Sequence, residues 1–357
     1  MNKCPQFWQP MDEPGSLLSD TTLHSFGHKP RLSKTKWSLA TEFEGILAFT
    51  LPMRALIKQI SEVAAENIPV LITGETGTGK DLVAAAIHKR SRRNRFPYLA
   101  VNLSAVPSEL VSSELFGHER GAYTGASETR AGLFEQAQGG TLFLDEITTA
   151  DNKTQVNLLR VLETKTIRRV GGDRDIPVDV RVVAATNEKI EQAVKLGRFR
   201  EDLYYRLDVF RVHLPPLRER RDDISLLANH FVDLFARLYK KNVRAVPRET
   251  HLLLRWYAWP GNVRELKNVI QRMVLLAKGD ELTPDLLPRR IREAEALGIG
   301  PRPEQSQIYL GMSLGEVEKE YVKMTLAFAN GNKRIAASLL GISRRALYNK
   351  LKRHSPA

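Results

Sequence analysis

The sequence predicts an α/β core built around a largely parallel sheet, followed by two all-helical units. Short apolar runs alternate with helical segments as far as Pro215-Pro216. Strand signals stop after that pair, and a glycine-rich loop joins the first run to the next helix. The 357 residues suffice for two or three domains at roughly 100–200 residues each. With 42% hydrophobic and 27% charged residues, the chain has the balance of a folded globule rather than a disordered segment. Its one cysteine, Cys4, excludes an intrachain disulfide and a cysteine-built zinc site, and suits a reducing cytosol. Apolar stretches of about 18 residues are missing, as is an early apolar leader, so neither a membrane partner nor secretion is expected.

Taken in order, residues 1–42 read as an extension punctuated by Pro5, Pro10, Pro14 and Pro30. Residues 43–217 carry the α/β pattern. Leu56, Ile57, Ile60, Val63 and Ala64 have helical spacing. Strands are expected at 69–73, 97–101, 141–144, 180–185 and 209–214, the first of them readable as a buried parallel strand. Helices are expected at 80–92, 107–116, 130–138, 151–164 and 188–196. Residues 218–287 read as a helical subdomain with helices at 222–239, 248–256 and 262–277. Residues 288–313, with Pro288, Pro301, Pro303, Gly298 and Gly300, read as a linker, and 314–357 as a final helical unit.

Chemistry concentrates where the first strand ends. Gly74-Glu-Thr-Gly77-Thr-Gly79-Lys80 has the Walker A spacing and the required strand-to-helix setting. Its glycines let backbone N–H groups turn toward phosphate oxygens, and the helix N-terminus adds partial positive charge. Lys80 can reach β- and γ-phosphates. Asp81 stands where the generic motif has Ser or Thr for magnesium. Thr141-Leu-Phe-Leu-Asp145-Glu146 ends an apolar strand in two acids. Asp145 would hold Mg2+ directly or through water, and Glu146 would orient or deprotonate an attacking water.

With these motifs in place, the chain resembles the AAA+ ATPases of the NtrC family, activators of sigma-54 RNA polymerase. The resemblance covers roughly residues 43–290 and the tail. An acid follows the Walker A lysine in that family, so Asp81 fits. The resemblance implies that Gly74, Glu75, Thr76, Gly77, Thr78, Gly79, Lys80 and Asp81 bind ATP, on an AAA+ P-loop core with a helical lid. Gly121-Ala122-Tyr123-Thr124-Gly125-Ala126 is similar to the family's GAFTGA loop, which contacts sigma-54, with Tyr123 in place of Phe. Asn187 matches sensor I, which feels the γ-phosphate or the attacking water. Asn102 matches the asparagine that holds the catalytic glutamate in the idle state. Arg200 and Arg206 match the arginine-finger segment, which implies action in trans across subunits of a closed, hexameric ring. Trp259-Pro-Gly-Asn262-Val-Arg264 matches sensor II, with Asn262 expected as helix N-cap and Arg264 in the first turn. Trp256 and Trp259 are expected to pack the lid.

Lys plus Arg number 54 against 41 Asp plus Glu, a net charge of +13. That excess favours a polyanionic partner or a nucleotide without choosing between nucleic acid, an anionic surface and plain solubility. From Gly331 onward there are seven Lys or Arg and no Asp or Glu, which concentrates the charge at the tail. An amphipathic helix is expected at 317–329. A short helix at 332–340, a turn at Gly341-Ile342 and a second helix from Arg344 to Lys352 capped by Ser343 make a helix-turn-helix. Asn332, Lys333, Arg334, Ser343, Arg344, Arg345, Asn349, Lys350 and Lys352 suit a major groove and its phosphates. The unit resembles the Fis-type readers of the same activators. Two copies in a dimer would bind a two-fold symmetric enhancer site.

The expected function is ATP-driven activation of transcription. The tail docks on enhancer DNA, and a ring of this chain or of this chain with a similar one remodels the sigma-54 polymerase closed complex. The family's short type, without a receiver domain, is expected because only about 45 residues precede the ATPase pattern. Control would then come from expression level, a regulatory protein in trans, or partnering with a similar chain.

Overall fold

The computed structural model describes residues 41–123, 126–293 and 313–328, with 333, 337, 340–343, 346–347 and 350–351 of the tail. Residues 1–40 of the expected N-terminal extension and most of the expected linker lie outside the described residues, while Thr41 and Glu42, expected in the extension, belong to the first strand. Among the described residues no helix is long and apolar enough to cross a membrane.

The described residues begin with a hairpin, β1 (Thr41–Phe43) and β2 (Ile46–Ala48), and helix α1 (Leu51–Ala64). Then come β3 (Val70–Thr73), α2 (Lys80–Lys89), β4 (Tyr98–Asn102), α3 (Ser108–Phe116), β5 (Gly117–His118), β6 (Arg130–Ala131), α4 (Leu133–Gln136) and β7 (Thr141–Asp145). These are followed by α5 (Asn152–Thr164), β8 (Thr166–Ile167), β9 (Ile176–Pro177), β10 (Arg181–Thr186), α6 (Ile190–Lys195), α7 (Glu201–Leu207) and β11 (Arg211–His213). Five strands form one sheet in the order β11-β3-β10-β7-β4, and every pairing is parallel. All five expected strands are therefore present. Parallel neighbours need covered crossovers, and helices supply them on both faces.

Strand residues alternate between two cores, as a period of two demands. Val70, Ile72, Phe143, Val183 and Ala185 join α1 and α2 on one face. Leu71, Leu142, Leu144, Val182 and Ala184 join α3 and α5 on the other. β10 is buried at every residue, including Arg181, whose guanidinium donates to the carbonyls of Val63 at 2.8 Å and Ala64 at 2.9 Å. It thereby satisfies the last carbonyls of α1, which a helix leaves without partners of its own.

One expected helix is corrected. Residues 130–138 are not continuous, because Arg130–Ala131 pairs with Gly117–His118 and only Leu133–Gln136 is helical. The cause is Gly132: a Cβ there would lie 2.3 Å from the Gly117 amide nitrogen, so the backbones meet directly. Helix α4 starts from that contact, with the Glu135 carboxylate accepting from the Gly132 N–H at 3.3 Å.

Past Pro215-Pro216 the fold is helical. Helices α8 (Arg221–Leu238), α9 (Arg248–Trp256), α10 (Asn262–Leu276) and α11 (Arg289–Arg292) surround one apolar cluster. Trp259 is fully buried in it, and its Nε1 donates to the Leu254 carbonyl at 2.7 Å. Trp256 is partly exposed and stacks under Arg221 instead. Arg289–Arg292, expected within the linker, folds as α11 behind Pro288 and buries Ile291 in the same cluster. The tail helix α12 (Leu314–Phe328) starts three residues earlier than the apolar spacing predicts. Ser313 and Glu316 cap it reciprocally: the Ser313 N–H donates to the carboxylate, and Ser313 Oγ accepts from the Glu316 N–H.

Two buried polar side chains join the helical subdomain to the α/β core. Asp223 of α8 is fully buried and accepts from Phe49 N–H at 2.7 Å, Thr50 N–H at 2.9 Å and Thr50 Oγ at 2.8 Å. It thereby fixes the two residues that lead into α1, whose N-cap Thr50 makes no side-chain cap bond of its own. Asn262 is equally buried. Its Oδ1 accepts from the Leu217 N–H at 2.7 Å, and its Nδ2 donates to the Thr76 carbonyl at 3.0 Å. The expected N-cap role is therefore corrected. Gly261 occupies that position, and Asn262 is the first helical residue, spending its amide on the core at a left-handed φ of 49°.

Asp223→Ala orphans the Phe49 and Thr50 donors and should lower stability by about 2–3 kcal/mol in chemical denaturation. Asn262→Ala loses its bonds and also carries the left-handed strain. Asn262→Gly should recover about 1 kcal/mol of that loss, as only the strain is relieved.

Candidate functional site

Parallel strands deliver their carboxyl ends to one edge, and the expected chemical residues gather there. The Walker A loop leaves β3 and enters α2, Asp145 and Glu146 end β7, Asn187 follows β10, and Asn102 ends β4. The register places Asn102 opposite Asp145 and Thr186 opposite Thr73.

Within the loop, Gly74, Gly77 and Gly79 have left-handed φ, which turns successive amides to one side. Lys80 is buried, and its Nζ donates to the carbonyls of Gly74 at 3.0 Å and Glu75 at 3.4 Å. A cation seated on its own loop's carbonyls can turn outward to a phosphate with little rearrangement. Thr78 closes the loop through Oγ1 to the Glu75 carbonyl at 2.7 Å. Gly77 admits no side chain: a Cβ there would lie 2.4 Å from the Gly261 carbonyl oxygen of the helical subdomain. The Gly77 carbonyl accepts from Val263 N–H at 2.9 Å and Arg264 N–H at 3.2 Å, so α10 begins on a Walker A carbonyl.

Burial sets the electrostatics. It lowers the Lys80 pKa, against the opposing pull of Glu146, Asp145 and Asp81. It raises Asp145, with Lys80 pulling the other way, and raises Glu146 against the Asn187 N–H bond and Lys80. Asp81 supports the Lys80 charge and opposes that of Asp145, and Arg264 does the reverse. Glu146 sits at φ 55°, a left-handed conformation that costs a non-glycine residue on the order of 1–3 kcal/mol. Strain of that kind re-aims the side chain relative to its strand. The Glu146 carboxylate accepts from the Asn187 N–H at 3.1 Å, and Asn187 Nδ2 donates to Thr76 Oγ1 at 3.0 Å. Asn187 thus spans the acid and the Walker A loop. Asn102 departs from expectation: its Nδ2 donates to Asp145 at 3.2 Å, not to Glu146, while its Oδ1 accepts from Ser104. The side chain is already committed to capping the following turn, and only Asp145 lies directly across the register.

A cleft of about 320 Å³ opens between Thr76 and the lid residues Gly261, Arg264, Glu265, Asn268 and Arg272. Magnesium is ordinarily held by one or two carboxylates with phosphate oxygens and water. The hard oxygen donor of Asp145, with Asp81 close by, fits that pattern.

The aromatic loop lies between β5 and β6, after α3. Gly121 N–H donates to the Ala126 carbonyl at 2.8 Å and Ala126 N–H to the Tyr123 carbonyl at 3.0 Å, closing the base. Ala126 is buried, Tyr123 is exposed, and the Tyr123 ring meets the edge of His118 at 5.2 Å. His118 Nδ1 is hydrogen-bonded to Ser113 Oγ of α3 at 2.8 Å. Arg169 ties the same base to the core through Glu119 at 3.1 Å and Glu135 at 2.7 Å. Thr124 and Gly125 lie outside the described residues.

The two candidate finger arginines are exposed. Arg200 caps α7 and makes a bidentate pair with Asp202 at 3.0 and 2.7 Å; Arg206 pairs with Glu163 at 3.3 Å. Among the described residues neither bonds to the Walker residues of its own chain. In the tail, Val322, Ala337 and Leu347 are buried against Leu326, Leu340, Ile342 and Leu351. Gly341 has φ 67°, and Ser343 Oγ accepts from Ala346 N–H at 3.1 Å, as the turn and cap predict. Lys333 is helical, and Lys350 contacts Glu318 of α12. Asn332, Arg334, Arg344, Arg345, Asn349 and Lys352 lie outside the described residues.

Sequence reasoning missed Arg218 and the core-facing role of Asn262. Arg218 holds Glu75 in a bidentate pair across 143 positions of chain. Its only local signal is the Pro215-Pro216-Leu-Arg218 break between sheet and lid.

Three families match consecutive parts of the chain. The Sigma-54 interaction domain matches residues 46–213, the AAA+ ATPase lid domain 218–299, and the Bacterial regulatory protein, Fis family, 313–354. The regulatory protein AtoC of Escherichia coli K12 is 42% identical over 348 residues, covering 95% of this chain and 74% of AtoC. The transcriptional regulatory protein ZraR of Klebsiella oxytoca is 44% identical, covering 94% and 74%. The crystal structure of NtrX from Brucella abortus in complex with ATP is 36% identical with a TM-score of 0.65, covering 86% of this chain and 69% of that one. On this fold, this edge of strand-end residues and these relatives, the chain belongs to the NtrC family of sigma-54-dependent transcriptional activators, AAA+ ATPases that bind and hydrolyse ATP and carry a helix-turn-helix.

Proposed function

We propose that the carboxyl edge of the sheet is the hydrolytic site and that its work is delivered through the Tyr123 loop. The convergence of the Walker A loop, the two acids of β7 and Asn187 on one edge supports this most directly. The amides of the Gly74–Gly79 loop and Lys80 hold the β- and γ-phosphates. Asp145, with Asp81 near it, would hold Mg2+, which neutralises phosphate charge when bound. Glu146 orients the attacking water and takes its proton, and Asn187 keeps Glu146 aligned with the loop. Arg264 reports the nucleotide to the lid through α10.

Arg200 and Arg206 serve the neighbouring subunit's ATP. Both are exposed, and each is held by a single acid on the surface, so they are free to exchange that acid for a phosphate. This reading implies a hexameric ring of this chain, alone or with a similar chain. Gly121, Ala122, Tyr123, Thr124, Gly125 and Ala126 meet sigma-54 there. The tail's Asn332, Lys333, Arg334, Ser343, Arg344, Arg345, Asn349, Lys350 and Lys352 hold enhancer double-stranded DNA, with a phosphate replacing Glu318 at Lys350. A regulatory protein acting in trans, or a partner chain, sets activity.

The test is promoter opening with purified chain, sigma-54 polymerase and ATP. Glu146→Ala should bind ATP, lose about 10²–10⁴-fold in turnover and open no promoter. Opening at the normal rate without turnover would sink the coupling.

A further inference from the structure

Glu75 places a carboxylate in a loop that holds a polyanion. Its partners come from two separate parts of the lid. Arg218 Nη1 donates to Oε2 at 2.8 Å and Nη2 to Oε1 at 2.6 Å, and Asn262 Nδ2 donates to the same Oε2 at 3.2 Å. Arg218 belongs to the turn Leu217–Glu219 that opens the lid, and Asn262 to the first turn of α10. Asn262 also accepts from the Leu217 N–H, which joins the two lid elements to each other. Arg218 holds the Glu75 carboxyl below the usual range despite partial burial, so the carboxylate stays charged at neutral pH. Both terminal nitrogens of Arg218 are engaged by Glu75. Each terminal nitrogen keeps a further N–H, but while the pair stands the guanidinium charge is already matched by that carboxylate.

Building on the reading of Gly74–Lys80 as the ATP site, we infer that the Glu75–Arg218 pair is a charge-neutral strap fixing the lid to the Walker A loop. Glu75 is a lid-positioning residue, and Arg218 assists ATP by cancelling the Glu75 charge rather than by touching phosphate.

Opposite consequences follow for the two partners. Arg218→Gln strands a carboxylate beside the incoming triphosphate, so affinity falls. Glu75→Gln frees a cation there, so affinity holds, while the loosened lid misplaces Arg264 and turnover falls. Removing both charges restores neutrality and with it the affinity.

The experiment is titration of the full-length chain with a fluorescent ATP analogue and magnesium, alongside steady-state ATPase assays. Arg218→Gln should weaken binding about tenfold, the scale of one charge-assisted pair. Glu75→Gln/Arg218→Gln should return to within about threefold of the unaltered chain, while Glu75→Gln alone keeps affinity and loses kcat. Because the pair is half exposed, the Arg218→Gln penalty should shrink as salt rises. A double variant that binds as weakly as Arg218→Gln overturns the strap and makes Arg218 a phosphate ligand. Arg218→Lys, which keeps the charge, guards against a folding loss in the Gln variant and should bind within about threefold of the unaltered chain. Lys80→Ala separates the premises: if it binds ATP normally, the site reading itself fails, whereas lost binding with an additive cycle fails the strap alone.

Discussion

The helical lid begins on a carbonyl of the Walker A loop, and much else depends on that contact. Val263 and Arg264 donate their amides to Gly77, and Gly77 and Gly261 meet with no room for a side chain on the loop. An α-helix must place its first amides somewhere, and here they are placed on the phosphate loop rather than on a side-chain cap. A change in loop conformation at Gly77 therefore cannot leave α10 where it was. The lid is coupled to the loop by backbone geometry before any charged residue takes part.

The second constraint is the single edge of the sheet. Five parallel strands end together, so Asn102, Asp145, Asn187 and the Walker A loop become neighbours without being close in sequence. The strain at Glu146 is affordable because the acid is fixed from both sides, by β7 before it and by the Asn187 amide opposite. Burial opposes the charge on all three groups, raising Asp145 and Glu146 and lowering Lys80, and their attraction for one another only partly offsets it. A phosphate and a divalent cation arriving together would relieve that opposition, since each charged side chain then gains a partner of opposite sign.

Much of this was legible in the residues themselves. The central strands β3, β7 and β10 are apolar on both faces, and the helices of the lid have clear amphipathic spacing, so the sequence pattern located them. The Walker loop carries its chemistry in local spacing. Illegibility began where a residue acts across the chain. Asn262 looks like a cap because caps are local, yet its amide is spent on Leu217 and Thr76. Asn102 faces Asp145 because of strand register, which spacing within one strand does not contain. The false helix at 130–138 failed on Gly132, whose role is a backbone contact with Gly117 that no helical periodicity encodes. The start of α12 was missed for a different reason: the Ser313–Glu316 capping box is polar, and a search for apolar spacing passes over it.

The junction between core and lid is built from polar groups although it is buried, and that choice has a mechanical meaning. Asp223 of α8 holds Phe49 and Thr50, the entry to α1, with three hydrogen bonds. Arg220, beside it and nearly as buried, donates to the Thr78 carbonyl at 3.1 Å and points its other terminal nitrogen at the Met53 sulfur. Among the described residues its Nε finds no acceptor, and burial lowers its pKa despite the nearby Asp223. An apolar junction would hold the two bodies more cheaply but would tolerate sliding, because dispersion has no direction. Directional bonds to Thr78 and Thr50 define one lid position, and a displacement breaks them together rather than one by one. Such a junction has discrete positions instead of a continuum. That is the property a lid needs if nucleotide state is to be read as position.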